Sequence, residues 1–245
     1  MLLSLSTWKE IENYLESSKG IILPIGSTEQ HGPMGMIGTD AICPEKIATE
    51  ISERNGVLVA PTISYGMSQH HLEFPGSVTL RPTTLIAVIK DIIYSLIHHG
   101  FTHLFFLNGH GGNITPLGSA FSEVYSEYSL AGKQCPVFCT AVSWYEGKKL
   151  REANDKHFKK GSGSHATPGE ISLSFHAHPE AIKSAKPDPE IAPSGGFRDA
   201  HDFKASYPDG RIGSNSSLAS KEIGAELCEA AIKDVIKRYH AFLEK

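Results

Sequence analysis

Gly20-Ile-Ile-Leu-Pro-Ile25 is an apolar run that passes without a break into Gly26-Ser-Thr-Glu-Gln-His-Gly-Pro33, a polar loop bearing two glycines and a proline. A strand buried on both faces reads as such a continuous apolar run, and the loop after it lies at the sheet edge where parallel folds present their ligands. The pattern recurs. Val57 to Ile63 runs into Gly66-Met-Ser-Gln-His-His-Leu-Glu-Phe-Pro-Gly76, and His103 to Leu107 runs into Asn108-Gly-His-Gly-Gly-Asn113. A fourth run, Pro136 to Val142, is rich in residues that suit strands. Between the runs lie helical periodicities over Pro44 to Arg54, Thr83 to His98 and Asn113 to Tyr128, and a last helix spans about Ser220 to Leu243. Strands alternating with helices build βαβ units, so the chain reads as an α/β fold, a mostly parallel sheet with helices on both faces. Lys183 to Ser217 is rich in Pro, Gly, Ser and Asp and reads as a long irregular excursion within one domain, residues 1–245, rather than a linker.

Composition narrows the function. Of 245 residues 40% are apolar, and 23 glycines bring the share close to that of ordinary globular proteins, which excludes disorder as the main state. Four cysteines are too few for a disulfide framework, so cytoplasmic residence is expected. With 27 acidic and 23 basic residues the net charge is −4, leaving no surplus to neutralise a nucleic-acid backbone. The sequence offers no signal-peptide pattern at Met1 to Glu10 and no apolar stretch of membrane-spanning length, so neither nucleic acid nor membrane is expected as a partner. The 13 histidines stand out, since imidazole is both the commonest metal ligand and the proton carrier near neutral pH.

Three segments carry the chemistry. Glu29, His31 and Asp40 place two carboxylates and an imidazole on loops after the first strand, a mixed oxygen and nitrogen donor set that suits zinc, manganese or iron. Glu29 and His31, two apart on an extended segment, point the same way. The plainer reading is that Asp40 caps a helix starting near Ala41. His110 sits among three glycines, which let a ligand approach closely and leave the ring uncrowded. Glu170 falls in the first turn of a helix opened by Pro168 and Gly169, where the dipole favours a carboxylate; it can instead be aimed into the crevice as a further ligand, with His165 beside it as acid or base. Of the adjacent pair His70 and His71, which diverge on most backbones, one is expected to line a substrate pocket, assigned to His70, and the other to pack or face solvent.

These stretches, in this order, resemble the creatininase (creatinine amidohydrolase) family: Leu23 to Pro33 with Gly38-Thr-Asp40, His71-Leu-Glu-Phe-Pro-Gly-Ser77, Asn108 to Asn113, His165 to Ser172, and Gly210-Arg-Ile-Gly213 through Gly224. The resemblance implies a three-layer αβα sandwich, a homohexamer, a small-molecule substrate, and two divalent ions per subunit that turn bound water into hydroxide and hydrolyse a cyclic amide or formamide. It further implies that Glu29 and His110 bind one metal, His31 the other, that Asp40 bridges them, and that His165 passes a proton to the leaving nitrogen. This chain departs from true creatininases where Gly111 and Gly112 replace a tyrosine and a metal-binding glutamate, so the second ion is one carboxylate short unless Glu170 supplies it. The tryptophan that lids creatinine is also missing, whereas Trp144 remains as a pocket residue beside Gly111 and Gly112. That pattern resembles a broader branch, with formamide deformylases and a peptide-trimming maturase, and argues against creatinine itself. A serine hydrolase is excluded by the absence of G-x-S-x-G. A non-catalytic protein keeping a structural metal is the other alternative; closed structural zinc sites usually employ cysteine, which is absent here from the site segments apart from Cys43.

Overall fold

Three parallel strands form the spine of the computed structural model, which describes residues 1–245. In chain order, helix α1 (Trp8–Ser17) precedes strand β1 (Gly20–Ile25), followed by α2 (Thr39–Asn55), α3 (Pro82–His98), β2 (His103–Asn108), α4 (Ile114–Leu130) and β3 (Phe138–Ser143). The second half is helical: α5 (Lys148–His157), α6 (Pro168–Ala177), the short α7 (Ala200–Ser206) and α8 (Lys221–Leu243). Sheet order is β1-β2-β3, with Gly20 opposite His103 and His103 opposite Phe138, so all three strands deliver their C-terminal ends to one edge.

Strand alternation sorts the core into two faces. Ile21, Leu23 and Ile25 of β1 and Leu104 and Phe106 of β2 pack with Leu85, Ile89 and Ile93 of α3 and Leu117, Phe121 and Val124 of α4. Ile22, Phe105 and Leu107 turn the other way, onto Ile47 and Ile51 of α2, Leu173 of α6 and Leu227, Val235 and Tyr239 of α8. The arrangement is the expected αβα sandwich.

Several boundaries differ from the sequence reading for identifiable reasons. Val57 to Ile63 does run parallel to β1, but only through isolated bridges at Val59 and Ile63. Leu58 O accepts from Ile22 N, and Ala60 N donates to Ile22 O; there the ladder stops, because Pro24 has no N–H to offer, and it resumes one residue out of step with Ile63 N donating to Pro24 O. The fourth run becomes a strand only from Phe138, whose N–H donates to Thr102 O at 2.8 Å. Helix α2 begins at Thr39, five residues before Pro44, and so takes Asp40 into its first turn. Pro44 has no N–H for the Asp40 carbonyl, its partner four residues back. Into that free carbonyl press the ends of β1 and β2: a Cβ on Gly26 would lie 2.2 Å, and one on Gly109 2.0 Å, from Asp40 O. This close approach holds Asp40 at the sheet edge.

Within the Lys183 to Ser217 excursion, α7 and a return leg fold back over the same edge, where Ile212 bridges His165. Buried Arg211 fastens that leg, donating to Asp209 Oδ2 and to the carbonyls of Pro189, Glu190 and Ser214.

Candidate metal centre

Each residue of the site is held by its own local device. Glu29 and His31 lie on the loop after β1, stitched by Glu29 N donating to Ile37 O, Gln30 N to Ser77 Oγ and Gly35 N to His31 O. His110 follows β2 and is clasped by the Asn108 side chain, which accepts from His110 N at 3.1 Å and donates to His110 O at 2.7 Å. Glu170 closes a capping box at the start of α6: its Oε1 accepts from Thr167 N, while Thr167 Oγ1 accepts from Glu170 N. The cap consumes one carboxylate oxygen only. The other, Oε2, stands 4.0 Å from His31 Nε2, so the capping and ligand readings of Glu170 are compatible.

The side chains converge. Asp40 divides its carboxylate, Oδ1 lying 3.2 Å from His31 Nε2 and Oδ2 3.0 Å from His110 Nδ1. Glu29 Oε1 lies 3.2 Å from His110 Nδ1, 3.2 Å from His71 Nε2 and 3.8 Å from His165 Nδ1. Three overlapping sets can each hold a cation: Glu29, Asp40 and His110; His31, Asp40 and Glu170; and Glu29, His31 and His165. Asp40 is common to the first two.

The donor chemistry fits a cation. The far nitrogens of both inner imidazoles are spent on backbone: His31 Nδ1–H donates to Glu29 O at 3.1 Å, and His110 Nε2–H to Met67 O at 2.9 Å. That is the outer hydrogen bond characteristic of metal-binding histidine, and it turns Nε2 of His31 and Nδ1 of His110 inward. Glu29 Oε1, Glu29 Oε2 and Asp40 Oδ2 are buried and accept no directed hydrogen bond, although imidazole nitrogens surround them. Beyond the 3.2 Å hydrogen bond between His31 Nε2 and Asp40 Oδ1, these carboxylates and imidazoles leave three buried oxygens that a cation would complete.

Electrostatics agree. Burial pulls the His31 imidazolium down, but Asp40, Glu170 and Glu29 outweigh it and raise the ring to about 10. His110 moves well above its ordinary range, Glu29 and Asp40 overcoming burial in the same way. Burial, helped by the Asp40 charge, lifts Glu170 to about 7 against the pull of His31. His165 goes the other way, held neutral by burial and by His31 and His71 beside it.

Two cavities meet at His110, Gly111, Ser164 and His165. One, of about 390 Å³, is floored by Asp40 and Glu170 and walled by Trp144, Tyr145 and Asn154. The other, of about 400 Å³, is lined by Glu29, His70, His71, Gly112, Phe197 and Phe203, with His70 stacked on Phe197 at 4.7 Å. Gly111 is open to the first, a Cβ there meeting only Tyr145 Oη at 4.0 Å, whereas a Cβ on Gly112 would lie 2.3 Å from Met67 O. No side chain fits at 112 without moving that backbone.

His71 does more than the sequence reading gave it. Expected to pack or face solvent while His70 lined a pocket, it is buried, touches Glu29 and lines the same cavity as His70. Gln30, Tyr145 and Phe203 also stand at the site, and sequence reasoning does not single them out. Gln30 and His71 lie inside the quoted motifs, and that proximity is the one available signal; Phe203 arrives from the excursion.

The family model for creatinine amidohydrolase, termed Creatininase, matches residues 4–239. The chain belongs to the creatininase family. Among relatives, it is 27% identical to the 3-dehydro-scyllo-inosose hydrolase of Thermotoga maritima, over 96% of this chain and 83% of that one. It is 32% identical to the creatinine amidohydrolase of Pseudomonas putida over 52% of each, and 26% identical to a mycofactocin precursor peptide peptidase of Mycobacterium tuberculosis over 91% of this chain and 85% of that one. Among solved structures, a creatininase described with Mn superposes with a TM-score of 0.85 at 25% identity, covering 97% of this chain and 96% of that one. A Zn-Zn form of a mutant creatininase, also 25% identical with the same coverage, gives 0.84. No helix is long and apolar enough to cross a membrane.

Proposed function

We propose that this creatininase-family chain is a metal-dependent amidohydrolase that cleaves a cyclic amide or formamide C–N bond in a small molecule. The observation that carries the reading is the divided carboxylate of Asp40, one oxygen toward His31 and the other toward His110, at the floor of a cavity. Glu29, Asp40 and His110 would hold one divalent ion, and His31, Asp40 and Glu170 the second, with zinc, manganese or iron all compatible with this donor set. Ions bound there would ionise a water near neutral pH and polarise the amide carbonyl.

The chain's own residues do the rest. Asp40, common to both sets, would serve both ions, and Glu170 would supply the carboxylate that Gly112 cannot carry. His165, neutral and with Nδ1 turned toward Glu29, takes a proton from the attacking water and returns it to the leaving nitrogen, which expels an amine rather than an unstable amide anion. Trp144 and Gly111 shape one wall of the substrate space, and His70 and Gly112 the other. The same reading takes residues 1–245 as one domain that assembles as a cytoplasmic homohexamer. The peptide-trimming alternative is favoured by the likeness to the mycofactocin precursor peptide peptidase, and therefore belongs in the test.

The test is a hydrolysis screen of metal-reconstituted protein against small cyclic amides, formamides and short peptides, alongside elemental analysis. Turnover of a cyclic amide or formamide with about two ions per chain is expected. Folded protein that binds no divalent metal would remove the proposal, and cleavage of peptides alone would replace it with the maturase reading.

A further inference from the structure

Gln30 lies between two proposed ligands, yet its side chain points away from them into a buried cage of hydrogen-bonding groups. Its Oε1 accepts from Gly32 N at 2.8 Å, and its Nε2 lies 2.9 Å from Gly210 O, 2.9 Å from His71 Nδ1 and 3.0 Å from His165 Nε2. The carboxamide can sit only this way round, because flipping it would set oxygen against the Gly210 carbonyl and N–H against N–H at Gly32.

Two amide hydrogens must then serve three neighbours. One goes to Gly210 O, which can only accept. His165 Nε2 is also 2.9 Å from Gln30 O, another pure acceptor, so this nitrogen carries its own hydrogen and donates it there. The second amide hydrogen is left for His71 Nδ1. The opposite assignment, Gln30 donating to His165, would leave the His165 lone pair facing a carbonyl and His71 Nδ1 without a partner, both costly in a buried cage.

We propose that Gln30 is the positioning residue of this site, its carboxamide holding His71 and its backbone carbonyl holding His165, each as the Nε2–H tautomer. The two rings, stacked 4.4 Å apart, then present opposite functions to Glu29. His71 turns an N–H to the side of Oε1 at 3.2 Å, off the line of a directed hydrogen bond but close enough to favour the carboxylate electrostatically, and a nitrogen that carries its hydrogen is disqualified as a metal ligand. His165 turns a lone pair toward the same oxygen at 3.8 Å, ready to accept a proton. Gln30 touches neither ion nor substrate; it acts through the two rings. The catalytic consequence rests on the proposed hydrolase reading, whereas the tautomers do not.

The experiment uses full-length, zinc-loaded, 15N-labelled protein and long-range 1H–15N correlation of the imidazole rings. Wild type should show His71 and His165 each with a protonated Nε2 and a bare Nδ1. Gln30→Glu preserves length and shape but cannot donate, so His71 should acquire a proton on Nδ1, and kcat should fall by about 10- to 100-fold with KM and zinc content near wild type. A proton on Nδ1 of either ring in the wild type overturns the proposal, and that spectrum decides the matter even if the variant fails to fold. An unchanged His71 signature in folded Gln30→Glu overturns it as well. Absence of hydrolysis by zinc-loaded wild type with the expected tautomers would instead count against the hydrolase reading alone.

Discussion

Replacing Asp40 by Asn separates a shared metal pair from every other account of the cluster. The side chain is buried and its two oxygens face different imidazoles at 3.2 and 3.0 Å, so the substitution keeps the shape while removing charge from both sides at once. A unit charge acting over ~4 Å through an effective dielectric of ~20 is worth about 4 kcal/mol per unit of opposite charge. For a divalent ion that doubles, and easier desolvation returns roughly half, leaving about 4 kcal/mol. At ~1.4 kcal/mol per decade, each ion should bind roughly a thousandfold more weakly. The assay is mass-spectrometric metal analysis of protein dialysed against zinc at a free concentration that just saturates the wild type. Asp40→Asn should lose both ions. Glu170→Gln, whose Oε2 faces only His31, should lose one. An Asp40→Asn protein that is folded by circular dichroism and retains both ions, or sheds only one, refutes the bridging argument.

His165→Gln should leave metal content unchanged and depress kcat by about 10²- to 10⁴-fold, the usual worth of a positioned acid–base group, as read by steady-state kinetics on whichever amide the screen identifies. In the metal-free protein His31, raised to about 10, is an imidazolium, and a cation must displace its inner proton. Metal uptake at pH 8 should therefore release protons and tighten as pH rises, measurable by calorimetry in buffers of different ionisation enthalpy; uptake without proton release would contradict the placement of His31. The sign for stability of the metal-free form is the reverse: the contribution of that raised ring is fully present below its unfolded value of ~6.5 and lost as pH climbs through about 10. Gly109→Ala would bring a methyl within 2.0 Å of Asp40 O, so calorimetry should show a melting temperature lower by about 4–10 °C, equivalent to ~2–3 kcal/mol of overpacking, together with reduced metal content. An unshifted melting point would mean that β2 and α2 are free to separate.

Legibility follows burial and locality. β1 can be read from six consecutive buried residues, and α3 and α8 from apolar positions repeating at helical spacing over long stretches. Helices α1 and α5 are hard to see in the residue order because each is only 10 residues long and one buries no residue while the other buries only Leu150, so their narrow apolar faces span too few turns to stand out. Val57 to Ile63 has the composition of a strand, but its pairing depends on Pro24 of β1, which becomes its neighbour only once the chain has folded. The choice between His70 and His71 cannot be made from the chain alone, since adjacent rings differ in fate according to what packs over them, here Phe203 from α7 against His71 at 4.6 Å.

Local chemistry thus lies open in the residue order: apolar runs ending in glycine-bearing loops, a helix-opening Pro168-Gly169-Glu170, and imidazoles and carboxylates stationed at loop after loop. The tertiary structure alone decides that Asp40 faces two rings at once, that Glu170 keeps one oxygen for its cap and turns the other toward His31, and that Gln30 reaches His71 and His165 together. Those outcomes are distances between segments far apart in sequence, set by parallel strands in β1-β2-β3 order and by the press of Gly26 and Gly109 on one helix turn, and no local propensity encodes them.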